Sequence, residues 1–327
     1  MIKYLAKRIV TYSVMVFIVT SVTYLITVTT FKPWLLDENK NPRPSPEQIE
    51  NRFRLLGLDF TKNPFERYLD WITGVITRWD WGRTPLGGSV NMEFGDRVWV
   101  STRLYVAAII LTMVIGIALG VYSAARQYKW QDRVITSYSY ISYILPAVIG
   151  YFLIQLLFIA INQALGSTVF FVTGISTPGV QPGWPAFWDG VAHYFVPTFA
   201  ITILGWWNYQ IAQRQYLLDN VNADFVRTAR AKGLTRTQAI RKHALRVSFI
   251  PVAQSIAFTI PAIFAGGYFA EIIFAWPGIG QWSIAAISQG DVNSATATVA
   301  FGAVIFAFGA ILADLATSLV DPRVRVQ

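Results

Sequence analysis

Long apolar runs separated by short basic connections dominate the chain. The first run, residues 9–30, follows Lys3, Lys7 and Arg8. At about 22 residues it would extend about 33 Å as a helix, enough to cross a hydrocarbon core. It is longer than the roughly 7–15 apolar residues of a secretory signal, and no small-x-small cleavage site follows. The expectation is an uncleaved first span with its N-terminus inside. Comparable runs recur at about 101–125, 135–162, 194–213, 250–273 and 295–319. Pro146 predicts a kink in the third, Pro197 lies near the outer end of the fourth, and Pro261, Gly266 and Gly267 interrupt the fifth.

The connections give the orientation. Arg126, Lys129 and Arg133 face only Asp132, and Arg214 begins the most basic segment of the chain. Residues 163–193 contain no Lys or Arg, and no ionisable Lys, Arg, Asp or Glu occurs between Arg133 and Asp189. Short loops rich in Lys and Arg stay in the cytoplasm. The pattern fits an all-α polytopic membrane protein with six transmembrane helices and both termini cytoplasmic. The expected parts are a tail and first helix (1–30), an extracytoplasmic region (31–100), a five-helix core (101–320) and a tail (321–327). The core carries a cytoplasmic loop at 214–249. Val169 to Val172 is too short to span and is expected at the interface.

Composition agrees. Of 327 residues, 54% are hydrophobic and only 14% charged, against roughly 25% charged in soluble domains. The runs are too long and too uniformly apolar for barrel strands. The net charge of +9 is concentrated in loops beside spans, so orientation accounts for it and nucleic acid is not an expected partner.

Residues 31–99 form the one long hydrophilic stretch, with ten basic and ten acidic residues. Ser45-Pro46 with Gln48 predicts a capped helix start, and Asn63-Pro64 predicts another. Phe65, Leu69, Ile72 and Ile76 recur at helical spacing on one expected apolar face. Interfacial anchoring is the simple account of the tryptophans here.

The segment 224–251 carries Arg227, Arg230, Lys232, Arg236, Arg241, Lys242 and Arg246 against Asp224 alone. It reads as two short helices around Gly233. Asn222 or Asp224 is the expected cap of the first, Gly233 its left-handed close, and Thr235 with Gln238 a capping box for the second. On charge alone, a structured basic loop held inside explains it.

The residue order says more. Arg227-Thr228-Ala229-Arg230-Ala231-Lys232-Gly233, followed by His243-Ala244-Leu245-Arg246, resembles the coupling loop of permease subunits in binding-protein-dependent ABC importers, most of all the oligopeptide, dipeptide and nickel branch. Arg227 stands where the general motif has Glu, and Pro251 lies farther from the glycine than is general; both departures match that branch. Phe274-Ala275-Trp276-Pro277-Gly278-Ile279-Gly280 resembles the turn after the branch's fifth core helix. Leu56-Gly57-Leu58-Asp59 and Trp79 to Thr84 resemble its extracytoplasmic region, and Asp321-Pro322-Arg323-Val324-Arg325 its terminus.

The resemblance implies the type I permease fold, with the region 31–100 as an insertion after helix 1. It implies a second homologous permease, two cytoplasmic P-loop ATPases and an extracytoplasmic substrate-binding protein as partners. The loop helix would dock in a groove on the ATPase, with Ala229 and Ala231 offering little bulk to that groove. Peptides are the favoured cargo. Nickel or another small solute is the alternative within the branch, and an ion-coupled secondary transporter the one outside it.

No catalytic constellation accompanies these features. There is no cysteine, and His193 and His243 fall on opposite sides of the expected topology. No G-x-x-x-x-G-K-[ST] phosphate loop occurs, so no cofactor is expected in this chain, and ATP and Mg would sit on partner subunits. The chain itself is expected not to be an enzyme. Glu271, beside the outer turn of Trp276, Pro277, Gly278 and Gly280, is expected either to pair structurally or to line a gate. Asp314 is expected to pair or hydrate at the inner interface.

Overall fold

A computed structural model describes residues 2–37, 41–265 and 267–320. Among them all regular structure is helical, apart from one antiparallel bridge between Arg83 and Ser89. The expected terminal motif at 321–325, Gly266 and the side chains of Pro261 and Asp314 lie outside what is described.

In order, the helices are α1 (Ile2–Thr30), α2 (Pro46–Leu55), α3 (Pro64–Arg78), α4 (Val90–Ala125), α5 (Trp130–Ile144), α6 (Ala147–Leu165) and α7 (Trp184–Gly205). They continue with α8 (Trp207–Val221), α9 (Asp224–Ala231), α10 (Arg236–Ala239), α11 (Leu245–Ala265), α12 (Tyr268–Ile273), α13 (Ile279–Ser288) and α14 (Val292–Val320). Among the described residues, four segments are long and apolar enough to cross a membrane: Ala6–Thr30, Val90–Ala125, Ala147–Leu165 and Val292–Leu312.

The expected third run is two helices. Leu145 is extended (ψ 120°) and Pro146 begins the next helix. A proline ring disfavours helical backbone in the residue before it, so the chain breaks where a kink was predicted. The expected fourth and fifth runs are each divided too, between α7 and α8 and between α11 and α12. By contrast α4 is longer than expected, because it begins eleven residues before 101.

The chain forms two compact units. One comprises residues 1–101, 260–268 and 277–311. Its core joins α1 to α3: Tyr24 stacks on Trp71 at 4.4 Å, and Tyr24, Val28, Tyr68, Trp71, Val75 and Val292 are buried together. The Ser21 and Tyr68 hydroxyls share a 2.7 Å hydrogen bond. The starts of α2 and α3 are as the sequence predicts. Ser45 and Gln48 form a reciprocal capping box, and Asn63 accepts from the Phe65 N–H.

The buried face of α3 corrects the sequence expectation. Phe65, Leu69 and Ile76 are exposed, while Tyr68, Trp71 and Val75 are buried. Both faces of this helix are apolar, so periodicity could not choose between them. The large aromatic rings have Tyr24 to stack on, and that contact decides.

The other unit comprises residues 102–259, 269–276 and 312–327. Here α5 packs on α8 and α6 on α7, with Tyr138 stacked on Trp206 at 5.0 Å. α4 lies against α8 through Gly116 and Gly120. A Cβ on Gly116 would lie 2.5 Å from the Trp206 carbonyl oxygen, and one on Gly120 2.9 Å from that of Gln210. Only glycine permits this approach, as in small-residue helix contacts of membrane proteins. The irregular stretch 166–183 is held by side chains. Asn162 accepts from the Val169 and Phe170 N–H groups, and Asp189 accepts from the Thr177 N–H and hydroxyl.

Candidate functional site: a basic helical surface

The basic segment is built on the ends of α4 and α8. Beneath it Val226, Ala229, Ala239 and Ala244 are buried against Ala124 and Leu217. Val226 and Ala229 are three residues apart on α9, so both project from one face of its two turns. Ala229 is thus part of the internal core, which corrects its expected role on an outer groove. Ala231 is exposed. All seven arginines and lysines of the segment are exposed as well. Asp224 is 98% exposed, with one carboxylate oxygen 3.7 Å from Arg227.

The first helix is not capped as expected. Ala223 occupies the N-cap with no side-chain bond. The helix starts at Asp224 itself, so this carboxylate sits in the first turn. It acts there on the positive end of the helix dipole instead of capping the chain.

The close at Gly233 is as the sequence predicts. Gly233 has φ +94°, its N–H bonds to the Arg230 carbonyl, and the Leu234 N–H reaches back to Ala229. This double closure satisfies the last carbonyls of α9 and fixes its exit angle. Thr235 and Gln238 then form the predicted capping box.

The second arm is longer than expected. α10 passes through one π-helical turn, Ile240–Ala244, into α11. Arg241, Lys242 and half-buried His243 lie in that turn, and Arg246 on the first turn of α11. The basic surface is therefore continuous with a 21-residue helix.

Three polar contacts hold the base. Arg214 on α8 donates to both oxygens of Asp132 on α5, at 2.7 and 2.9 Å. This guanidinium, with the Tyr128 N–H and Thr136 hydroxyl, holds the Asp132 carboxyl below the usual carboxylate range. Gln210 and Gln213, both fully buried, donate to Ser123 and Ser248 at 3.0 Å each. Sequence reading missed these glutamines and the Gly116/Gly120 pair. Four-residue glycine spacing in an apolar run was the available signal for the glycines. For the glutamines there was only their polarity next to Arg214.

The second group of expected residues is divided between the units. Glu271 and Trp276 are buried in one, with the Trp276 N–H donating to the Glu271 carbonyl at 2.7 Å. Trp276 meets Tyr194 edge-on at 4.6 Å. Ala275, with φ +50°, makes the sharp turn. In the other unit, Arg97 donates to the Pro277 carbonyl at 3.0 Å. Gly278 precedes α13 without a capping side chain, and Ser101 accepts from the Ile279 N–H at 2.8 Å in its place. Gly280 lies in the first turn of α13, a helix the sequence reading did not anticipate.

Apolar helices of membrane-crossing length and a helix contact made by paired glycines define a multi-pass membrane protein. Residues 116–326 match the family described as binding-protein-dependent transport system inner membrane component, and the chain belongs to that family. It is 35% identical over 327 residues, all of both chains, to the oligopeptide transport system permease protein OppB of Mycobacterium tuberculosis. It is 30% identical over 300 residues, 86% of each chain, to the dipeptide transport system permease protein DppB of Escherichia coli. To the metal-staphylopine import system permease protein CntB of Staphylococcus aureus it is 29% identical, with 99% of each chain covered.

Proposed function

We propose that this chain is the permease subunit of an ATP-driven importer that takes up short peptides. Six spans with both termini in the cytoplasm, an extracytoplasmic region at 31–100 and a cytoplasmic coupling loop at 214–249 make up the working molecule. A second homologous permease, two cytoplasmic ATPases carrying ATP and Mg, and an extracytoplasmic binding protein complete it. No hydrolytic step belongs to this chain. The full-length similarity to an oligopeptide permease supports the choice of peptide.

One observation carries the coupling role. Arg227, Thr228, Arg230, Ala231 and Lys232 are exposed on a helix whose other face is buried and whose exit at Gly233 is fixed. Such a surface meets carboxylates on a partner with its arginine forks. Because α10 runs on into α11, a push on this surface moves a long helix as a lever. ATP-driven closure of the partner ATPases would thereby switch the pathway between inward-open and outward-open forms. Trp276, Pro277, Gly278 and Gly280, with buried Glu271, are proposed to shape the outer turn of that pathway.

The test is Gly233→Trp in the assembled importer reconstituted in proteoliposomes. The expected result is normal insertion, with ATP hydrolysis no longer linked to uptake of a labelled tripeptide. Coupling equal to the parent would remove the docking reading. The metal-staphylopine relative favours a second reading with the same coupling and a different cargo. Competition between labelled tripeptide and metal-loaded staphylopine separates the two.

A further inference from the structure

The depth of α3 is set by its contacts with α1. Tyr68 shares a hydrogen bond of 2.7 Å with Ser21, and Trp71 stacks on Tyr24 at 4.4 Å. Beyond the far end of α3, Trp79 and Trp81 line one apolar cavity of about 380 Å³ together with Val16 and Thr20 of α1. All four α1 residues lie inside its membrane-crossing segment, Ala6–Thr30. A hydrocarbon core takes about 20 helical residues, and every stretch of that length within Ala6–Thr30 includes Val16, Thr20, Ser21 and Tyr24. Such a stretch ends between residues 25 and 30, which puts Ser21 about 6–14 Å inside that boundary at about 1.5 Å per residue. Helices lying in a membrane interface sit about 5–10 Å deep. The place where α3 meets α1 therefore has hydrocarbon around it.

The surface of α3 matches that depth. Helical spacing gives it three faces. Tyr68, Trp71 and Val75 are buried in the core shared with α1. Phe65, Leu69 and Ile76 form an exposed apolar stripe, with half-buried Ile72 beside them. Glu66, Asp70, Thr73 and Thr77 form an exposed polar stripe next to it. A helix packed on a protein core in water needs one apolar face and one polar face. Here a second apolar face lies between the core and the polar stripe. The polar groups are provided for locally: Asp70 pairs with Lys62 at 2.6 Å, and the Thr77 hydroxyl donates to the Thr73 carbonyl. Trp79 closes the helix with its ring exposed, a residue type favoured at the membrane boundary.

We propose that α3 lies in the membrane interface, in the leaflet at the Thr30 end of α1, with Phe65, Leu69, Ile72 and Ile76 covered by lipid acyl chains. The polar stripe faces the headgroups and water. The segment between α1 and α4 thus returns into the leaflet that α1 has just crossed. The inference rests on α1 crossing the membrane and not on the cargo or the coupling reading.

The chain has no cysteine, so a single introduced thiol carries a nitroxide label at one known place. The variants are Phe65→Cys, Leu69→Cys and Ile76→Cys on the apolar stripe, with Glu66→Cys and Thr77→Cys on the polar one. Each purified full chain is labelled and then reconstituted with its co-purifying subunits in phosphatidylcholine liposomes. Collisions of the label with oxygen, which concentrates in hydrocarbon, are compared with those of a water-soluble nickel complex, which hydrocarbon excludes. The oxygen-to-nickel ratio is expected to be several-fold higher at positions 65, 69 and 76 than at 66 and 77. Equal ratios on the two stripes overturn the proposal. So does shielding of the three apolar positions from both reagents, which would mean that a protein partner covers them. Three positions are read on that stripe, so the comparison survives the loss of one variant to misfolding. Liposomes that show the expected ratios yet take up no peptide would remove the cargo reading and leave α3 in the membrane.

Discussion

Arg214 holds Asp132 with both prongs of its guanidinium, Nε on one carboxylate oxygen at 2.7 Å and Nη2 on the other at 2.9 Å. The residues are 82 positions apart, and the bond ties the start of α5 to α8 just before the basic surface begins. Asp132 is nearly buried, so the bond is shielded more than a surface pair. Asp132→Asn is expected to cost about 1.5–3 kcal/mol, the range for hydrogen bonds to charged groups. Because the folded pKa is depressed, this stabilisation is present above the ordinary carboxylate range and lost as pH falls through the folded value. Thermal unfolding of parent and variant should therefore differ at neutral pH and converge under acid.

Asp291 behaves in the opposite sense. It is 3% exposed, accepts the Ser294 N–H at the start of α14, and burial pushes its pKa up to about 6. A folded pKa above the unfolded one gives stability at low pH that is lost as pH rises through about 6. Asp291→Asn keeps the capping oxygen and removes the buried charge. It is expected to stabilise the protein by about 1–3 kcal/mol at neutral pH. The gain should shrink as pH falls below that value, read as the difference in apparent melting temperature.

Gly116 allows α4 and α8 to touch. In Gly116→Ala the new Cβ would press on a backbone carbonyl at 2.5 Å, which cannot swing aside. A loss of about 1–3 kcal/mol is expected from overpacking. Gly302 on α14 has nothing within 4 Å of its Cβ position, so Gly302→Ala should be neutral or slightly stabilising. The two variants are compared by thermal unfolding in the same detergent.

Ala229 and Ala231 differ by two positions and point to opposite environments. Ala229→Trp is expected to unseat α9 from Leu217 and Ala124, at about 1–3 kcal/mol. Trypsin should then cut faster at Arg227 and Arg230. Ala231→Trp should leave the digestion pattern unchanged, and by the proposed docking it should weaken recovery of the ATPase subunits on purification.

Much of this molecule was legible from residue order. The long apolar runs gave α1, α4 and α14, because a backbone in lipid must satisfy its own hydrogen bonds. The left-handed close at Gly233 and the capping boxes at Ser45 and Thr235 were readable because each is a contact within a few residues. Local chemistry of that kind does not wait for tertiary structure. The same holds for the sequence of the basic surface, down to its exposed arginines.

What local pattern could not decide were contacts between distant segments. Two apolar faces of α3 competed, and Tyr24, more than forty positions away, chose the one with Trp71. Ala229 resembled a docking residue by its neighbours in sequence, yet Leu217 and Ala124 claimed it for the core. Helix α10 looked short because its link to α11 passes through a π turn that leaves no signature in residue type. The chain by itself determined the long apolar helices and the locally built ends at Ser45, Asn63, Gly233 and Thr235. Only the tertiary structure decided which faces are buried and which polar groups are left without partners, because those depend on atoms the sequence separates and folding brings together.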